Sequence, residues 1–371
     1  MKTIYISVIN DLSTDQRVAR TCSVWQNAGF QVVLIGRLLS SSKPLERDYQ
    51  IRRFRFWINK GPLFYFLYNV RLFFFLLFRK KIEVLFANDL DTLGALALVS
   101  IIRRKPLIYD SHEFFLGVPE IQNKTLVKWV WKNIEKFSFP HVDHFITVND
   151  SIAKLYSEFY KKKIRVVRNI PTRKQVSDNL LRADFGLPED AFIMVMQGAG
   201  INVDRGYEEA IASMNFIENA LLLIIGRGDV IDDLKALVKE LHLESKVRFL
   251  GVLPYEKMMQ YTALSDMGLT LDKPLSINYT YSLPNKLFDY IHAGIPVLGS
   301  DLPEVAKIIL DFEVGIVIKN VQPESIAKAV NDLRNNPNLR LKYKANCKKT
   351  SLDLNWENEQ QKLNEIVKEY V

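Results

Sequence analysis

In YSLPNKLFDYIHAGIPVLGSDLPE, residues 281–304, Lys286 and Asp289 stand three apart. On a helix that spacing puts both side chains on one face. Pro284 suits a first helical turn, where its missing N–H is not needed. The pattern predicts a helix over about 285–293, stopped by Gly294 before a strand at Val297. Lys286 then lies beside unpaired backbone N–H groups and the positive end of the helix dipole, an anion site. Asp289, one turn on, is placed to accept from the two hydroxyls of a ribose. Leu287, Phe288 and Ile291 supply the buried face. A solvated Lys–Asp pair would show the same spacing, so the assignment needs support from elsewhere.

That support lies upstream. MVMQGAGINVDRGYEEAIASM, residues 194–214, puts Gly198 and Gly200 after an apolar run, then Arg205 and Gly206 before a helical pattern. LLLIIGRGD, residues 221–229, puts Gly226 and Arg227 at the same place after the next apolar run. Glycine lets a backbone approach a ligand closely. Two glycine turns, Arg205, and a helix start bearing Asn285 and Lys286 could converge on one diphosphate.

The first half has its own polar groups. IYDSHEFF, residues 108–115, places His112 and Glu113 just beyond a strand, behind Asp110. ANDLDTLGA, residues 87–95, carries Asp89 and Asp91 in a DxD arrangement. Such a pair can hold a divalent metal against a diphosphate. With cationic side chains already available for that charge, the expectation is no metal and no cofactor. Asp89 instead contacts acceptor hydroxyls or caps the following helix. Asp11 follows the first strand. Beyond it, Ser13 and Gln16 suggest a capping box, with Arg17 and Arg20 near the helix start.

These residues need elements to hold them. Short β-rich runs recur at 4–9, 32–35, 84–86, 107–109, 145–148 and 165–167. A second series falls at 192–196, 221–225, 247–250, 267–271, 297–298 and 315–318. Helical patterns separate most of them, which predicts an α/β fold with parallel sheets covered on both faces. Ligands of such sheets sit beyond the carboxyl ends of the strands, where the polar and glycine residues collect twice over. The expectation is two Rossmann-like domains whose sheets face a cleft. The first spans 1–170 on the acceptor side, and the second, 171–354, binds the nucleotide. The junction is expected near 166–181. A final amphipathic helix, about 355–371, packs back on the first domain.

Composition agrees. The 371 residues suit two domains, and 48% hydrophobic with 25% charged residues is globular. Cys22 and Cys347 form neither a disulfide framework nor a metal cluster, and a reducing cytoplasm is the simplest compartment. The opening MKTIYISVIN reads as a strand rather than a signal peptide. The net charge of +8 favours anionic partners. Nucleic acid is not expected, because zinc-finger spacing, a recognition helix and an Arg-rich arm are all missing from the sequence. PLFYFLYNVRLFFFLLFRKK, residues 62–81, is apolar nearly all round and ends in Arg79, Lys80 and Lys81. It reads as a buried helix, a helix lying on an anionic membrane surface, or a span.

The constellation from Gln197 to Pro303 resembles the two-domain GT-B glycosyltransferases, and within them glycosyltransferase family 4. The resemblance extends over nearly the whole chain. It implies that Arg205, before its glycine, grips the diphosphate of a nucleotide sugar, and that Asp289 lies on the nucleotide-ribose helix. It implies that His112 faces the donor's sugar and phosphate, and that the loop of Asp11 and Arg17 belongs to the acceptor side. Two positions depart from the family pattern. Arg205 stands where most members have lysine, with the Gly198–Gly200 turn in place of an upstream arginine. Tyr281 stands where the first of two acids spaced eight apart would fall. Its hydroxyl, or backbone amides at 282–285, are the substitutes. The PNKLFDY variant is similar to that of bacterial polysaccharide-assembly members.

The implied reaction is metal-independent sugar transfer to a lipid-linked or glycan acceptor, with retention, in the cytoplasm or at the inner face of the membrane. Two alternatives stay open: a sugar-nucleotide epimerase, and a non-catalytic binder of nucleotide sugar or membrane within an assembly complex.

Overall fold

A computed structural model describes every residue except 14 and 174–178, and the side chains of 119 and 120. Part of the expected junction, 174–178, therefore lies outside the described residues. The chain divides into two compact units, Met1–Asn169 with Glu359–Val371, and Ile170–Asn358.

The first unit carries strands β1 (Thr3–Asp11), β2 (Gln31–Leu38), β3 (Gln50–Arg55), β4 (Val84–Asn88), β5 (Leu107–Ser111), β6 (His144–Thr147) and β7 (Ile164–Val166). Its helices are α1 (Gln16–Asn27), α2 (Gly61–Leu77), α3 (Leu90–Arg103), α4 (Pro119–Gln122), α5 (Thr125–Ser138) and α6 (Asp150–Tyr160). All strands pair in parallel, in the order β3-β2-β1-β4-β5-β6-β7. Six of the seven strands fall where the apolar runs are. The seventh, β3, reads QIRRFR and carries no such run. It is an edge strand, and edges tolerate charged side chains that blunt their free hydrogen-bonding groups.

The second unit carries β8 (Phe192–Gly198), β9 (Ala220–Gly226), β10 (Val247–Gly251), β11 (Met267–Thr270), β12 (Val297–Ser300) and β13 (Gly315–Ile318). Its helices are α7 (Tyr207–Ser213), α8 (Ile231–Glu240), α9 (Tyr255–Ala263), α10 (Ile277–Thr280), α11 (Asn285–His292), α12 (Pro303–Asp311), α13 (Pro323–Arg334) and α14 (Pro337–Asp353). The order β10-β9-β8-β11-β12-β13 is again all parallel. Successive side chains of a strand point to opposite faces. Along β8, Phe192, Met194 and Met196 enter one apolar cluster while Ile193 and Val195 enter another. Both faces of the sheet are therefore covered, which is why its strands read as unbroken apolar runs.

A last helix, α15 (Trp356–Lys368), crosses the division between the units. Its end belongs with the first unit. Lys2 Nζ donates to the Tyr370 and Val371 carbonyls at 2.7 and 2.6 Å. Glu369 meets His144 and Arg165, both at 3.1 Å.

Two local expectations are corrected. The cap of α1 is Asp15, which accepts from the Val18 N–H at 3.1 Å. Ser13 instead donates its N–H and hydroxyl to Asp11 Oδ1, at 3.1 and 3.0 Å. Helix α2 is neither wholly buried nor a span. Phe64, Tyr68, Leu72 and Leu76 form its buried stripe, Tyr65, Asn69 and Phe75 are half-buried beside it, and Leu63, Phe66 and Phe74 are exposed. No helix among the described residues is long and apolar enough to cross a membrane.

Candidate active site

In both sheets the strand order reverses beside the first strand of the unit, between β1 and β4 and between β8 and β11. Ligands of open α/β sheets bind beyond the carboxyl ends of the strands at such reversals. Of the polar residues of interest, Asp89 follows β4, Arg205 follows β8 and Asp272 follows β11.

In the second unit, Arg205 lies on the loop from β8 to α7 and Lys286 in the first turn of α11. Asp272, just past β11, joins them. Arg205 Nη1 donates to its Oδ1 at 2.8 Å, and Lys286 Nζ stands 3.7 Å from its Oδ2. Asp272 is fully buried, and its backbone carbonyl accepts from the Ser300 hydroxyl at 2.7 Å. The Arg205 guanidinium also lies 4.1 Å from the ring centroid of Tyr279, a cation–π contact. Burial works against the Arg205 charge, but Asp272 outweighs it and raises the pKa. For Lys286, burial dominates and lowers the pKa, with Asp272 opposing and Arg205 adding to the fall. The cluster thus sets two basic side chains on one carboxylate.

Gly206 explains how Arg205 gets there. Its φ is +75°, and a Cβ would fall 2.4 Å from the Leu271 carbonyl oxygen. Glycine here lets the loop settle directly onto the end of β11, beside Asp272.

The two glycine turns are stitched together. The Arg227 N–H donates to the Gly198 carbonyl at 3.3 Å, and the Ile201 N–H to the Arg227 carbonyl at 3.0 Å. Gly226 has φ +137°, and a Cβ would come within 1.8 Å of the Gly198 oxygen. Gly226 is therefore required by the close approach of chain to chain. At Gly198 and Gly200 an added Cβ would meet nothing nearer than 3.8 Å. The Arg227 side chain is exposed.

Asp289, on the buried side of α11, is already engaged. Tyr255 donates to its Oδ1 at 2.9 Å, and Gln197, at the end of β8, to its Oδ2 at 3.2 Å. Thr262 in turn donates to Gln197 Oε1 at 2.6 Å. These bonds orient the carboxylate at the end of β8. Helix α11 has Pro284 as its N-cap, with no side-chain cap bond, and Asn285 stands exposed at its start. Tyr281 is half-buried after α10, its N–H donating to the Ile277 carbonyl at 3.0 Å.

In the first unit, His112 is held between two acids. Asp89 Oδ1 accepts the His112 backbone N–H at 2.9 Å, and its Oδ2 lies 3.2 Å from Nδ1. Nε2 stands 3.6 Å from Asp110 Oδ2. Burial disfavours the imidazolium, yet Asp89 and Asp110 together lift its pKa well above the ordinary value. About 20% of the ring remains open. Asp89 caps α3 by position but without a side-chain bond, and holds φ at +59°. That conformation is sparsely populated, and strain of this kind collects at functional sites.

Asp91 lies inside the first turn of α3, within reach of the charge of Asp89. It is buried, and burial with the charge of Asp89 pushes its pKa well above the carboxylate range. Arg17 differs from the expectation of an arginine turned toward an acceptor. It is buried, gives two bonds to Asp110 at 2.9 and 2.7 Å, and donates a third to the Val167 carbonyl at 2.8 Å. Burial alone would raise Asp110, but Arg17 and His112 hold its pKa at about 2. Asp11 is half-buried against Ser13, and Glu113 is exposed.

The structure therefore gathers Arg205 and Lys286, stitches Gly198 to Arg227, and joins His112 to Asp89. Asp272, Tyr279, Tyr255 and Gln197 were not singled out by sequence. The available signal for Asp272 and Gln197 was their place at strand ends.

Comparison with known proteins fits this layout. The family model for glycosyltransferase family 4 matches residues 15–170, and that for glycosyl transferases group 1 matches residues 177–350. The chain belongs to the GT-B glycosyltransferases. This glycosyltransferase is 27% identical over 202 residues to the lipopolysaccharide core biosynthesis glycosyltransferase LpsD of Rhizobium meliloti, spanning 54% of the chain and 56% of that protein. It is 25% identical to N-acetyl-alpha-D-glucosaminyl L-malate synthase of Bacillus anthracis, over 49% of the chain and 48% of the relative. It thus spans about half the length of each. Among solved structures, sucrose-phosphate synthase from Thermosynechococcus elongatus superposes with a TM-score of 0.80 at 17% identity, over 100% of this glycosyltransferase and 99% of that chain. Anabaena HepE in complex with UDP gives 0.77 at 15% identity, over 100% of both chains. At these identities the superpositions establish a shared fold.

Proposed function

We propose that the chain transfers a sugar from a nucleoside diphosphate sugar to the hydroxyl of a lipid-linked or polysaccharide precursor, with retention. The observation that carries this reading is the pairing of Arg205 and Lys286 on Asp272 at a strand-order reversal. HepE binds UDP and UDP-glucose, and LpsD builds lipopolysaccharide core. Both support the reading by likeness.

In the proposed reaction the bond from the anomeric carbon to the phosphate oxygen breaks, and its electron pair leaves with the diphosphate. The acceptor oxygen bonds to the anomeric carbon and passes its proton to the departing phosphate oxygen. The charge growing on the leaving group meets Arg205, Lys286 and the start of α11. Groups already in place stabilise such charge without reorganising. Asp289, oriented by Tyr255 and Gln197, takes the ribose hydroxyls. His112 faces the transferred sugar and its phosphate as a cation. Asp11, Asp89 and Glu113 line the acceptor side. No metal or other cofactor takes part, and the protein works at the inner face of the cell membrane.

The test is incubation of the purified protein with labelled uridine and guanosine diphosphate sugars and a bacterial lipid extract, with and without EDTA. A labelled lipid or glycan product that survives EDTA, with its anomeric configuration kept by NMR, supports the proposal. An epimerised nucleotide sugar formed without acceptor, or no product from any donor, refutes it.

A further inference from the structure

In the first unit α2 packs on α3, and α3 on α5. The open side of this layer is apolar. On α2, Leu63, Phe66, Val70 and Phe74 follow one another at helical spacing, with Phe78 at the C-cap, and Phe66 and Phe78 are 64% and 75% exposed. On α3, Leu98, Ile101 and Ile102 continue the surface. On α5, Leu126, Trp129, Val130 and Phe137 do so, with Trp129 at 61%. An apolar surface shared by three adjacent helices exceeds the scattered exposed side chains of an ordinary water-soluble face.

The charge on the same layer has one sign. Across α2, α3 and α5 the acids are Asp91 and Glu135, and both are buried. Lys128, Lys132 and Lys136 stand along α5. Lys60, Arg79, Lys80 and Lys81 flank α2, and Arg104 follows α3. Arg103 spends its donors on the Leu77 and Arg79 carbonyls at 2.6 and 2.8 Å, and Arg79 lies 4.0 Å from the Phe75 ring centroid. These partners are carbonyls and rings, so they leave the positive charge uncancelled.

We infer that the α2–α3–α5 layer seats on an acidic lipid bilayer, its Phe and Trp side chains entering the headgroup boundary and its lysines meeting anionic headgroups. Apolar burial and attraction to anionic lipid act together in such binding. An aromatic–lysine surface without exposed acids fits a negatively charged apolar boundary better than a protein partner, whose contact patch would have to supply carboxylates at many separate points. The inference deepens the lipid-linked acceptor reading, but it stands on this layer and not on the sugar site.

The test is flotation of the intact protein with vesicles of phosphatidylcholine alone and of phosphatidylcholine with 25% phosphatidylglycerol, without donor or acceptor. Flotation with the acidic vesicles only, weakened by salt, is expected. Phe74→Ser with Trp129→Ser should abolish it, and Lys132→Gln or Lys136→Gln should each lower partitioning about fivefold. All these side chains are exposed, and an unchanged Tm for each variant shows that the fold is intact. No flotation, equal flotation on neutral vesicles, or retention by the Phe74→Ser/Trp129→Ser variant overturns the inference. So does a concentration-dependent dimer that the same substitutions disperse, because a second copy would then cover the layer. Flotation without sugar transfer would leave the inference standing and refute the transfer reaction. Transfer without flotation would do the reverse.

Discussion

Arg205 and Lys286 lie on the two oxygens of one buried carboxylate, that of Asp272, at 2.8 and 3.7 Å. Residues 81 positions apart in sequence thus share a single counter-charge. Without a donor the carboxylate keeps two crowded cations in place. On the proposed reading, a bound diphosphate would give the cations a second anion.

Asp272→Asn should therefore destabilise the free protein by about 2–3 kcal/mol, because it leaves partly buried cations unpaired. A saturating nucleoside diphosphate should narrow the gap, since phosphate replaces the lost charge. Thermal unfolding with and without ligand measures both. A gap that stays constant would mean the diphosphate does not meet these cations. Arg205→Ala and Lys286→Ala should each cost about 10²–10³-fold in turnover.

The glycines give a paired prediction. Gly226→Ala should destabilise by about 2 kcal/mol or more, since its φ is +137° and its Cβ would meet the Gly198 oxygen at 1.8 Å. Gly200→Ala has room, with its nearest neighbour at 3.8 Å. It should leave Tm unchanged while weakening nucleotide binding. Equal losses of stability in the two variants would show that the close approach at Gly226 does not matter.

Much of this was legible from sequence, and the misses share a cause. Apolar runs located the strands of the second sheet because both its faces are buried. Strand β3 escaped notice because an edge can afford Arg52, Arg53 and Arg55. Lys286 could be placed from Pro284 and Gly294, which are local signals. Asp272 could not, because its partners are brought to it by chain reversal. Arg17 read as an acceptor-side residue for the same reason. Asp110, which buries it, is 93 residues away.

His112 should titrate well above 6.5. Between the ordinary and the raised value the folded chain holds the proton and the unfolded chain does not. The pair's contribution to stability is therefore present below pH 6.5 and is lost as pH rises through the folded pKa. Asp89→Asn should move the titration back toward 6.5, which NMR of the imidazole reads directly. A wild-type midpoint near 6.5 would contradict the geometry.

Glu135 should act in the same sense over a lower pH range. Burial raises its pKa from 4.5 to about 7, and Tyr160 donates to it at 2.5 Å. The folded chain keeps this proton between those values, so stability falls as pH rises from 4.5 to 7 and then levels off. Glu135→Gln keeps an acceptor for Tyr160 and should remove up to about 3 kcal/mol of that dependence. Urea titrations at pH 5 and pH 8 would show the variant gaining only at the higher pH. A gain of the same size at both would count against the assignment.

The docking of Glu359–Val371 onto the first unit bears on biosynthesis. A ribosome makes strands β1 to β7 early, but the segment that holds Lys2, His144 and Arg165 leaves the exit tunnel after the entire second unit. The half of the protein translated first is thus the half finished last. Until then its partly built surface is open to chaperones and proteases, so stalled chains ending before residue 359 should be cut in β6 and β7 at sites that the released protein shields.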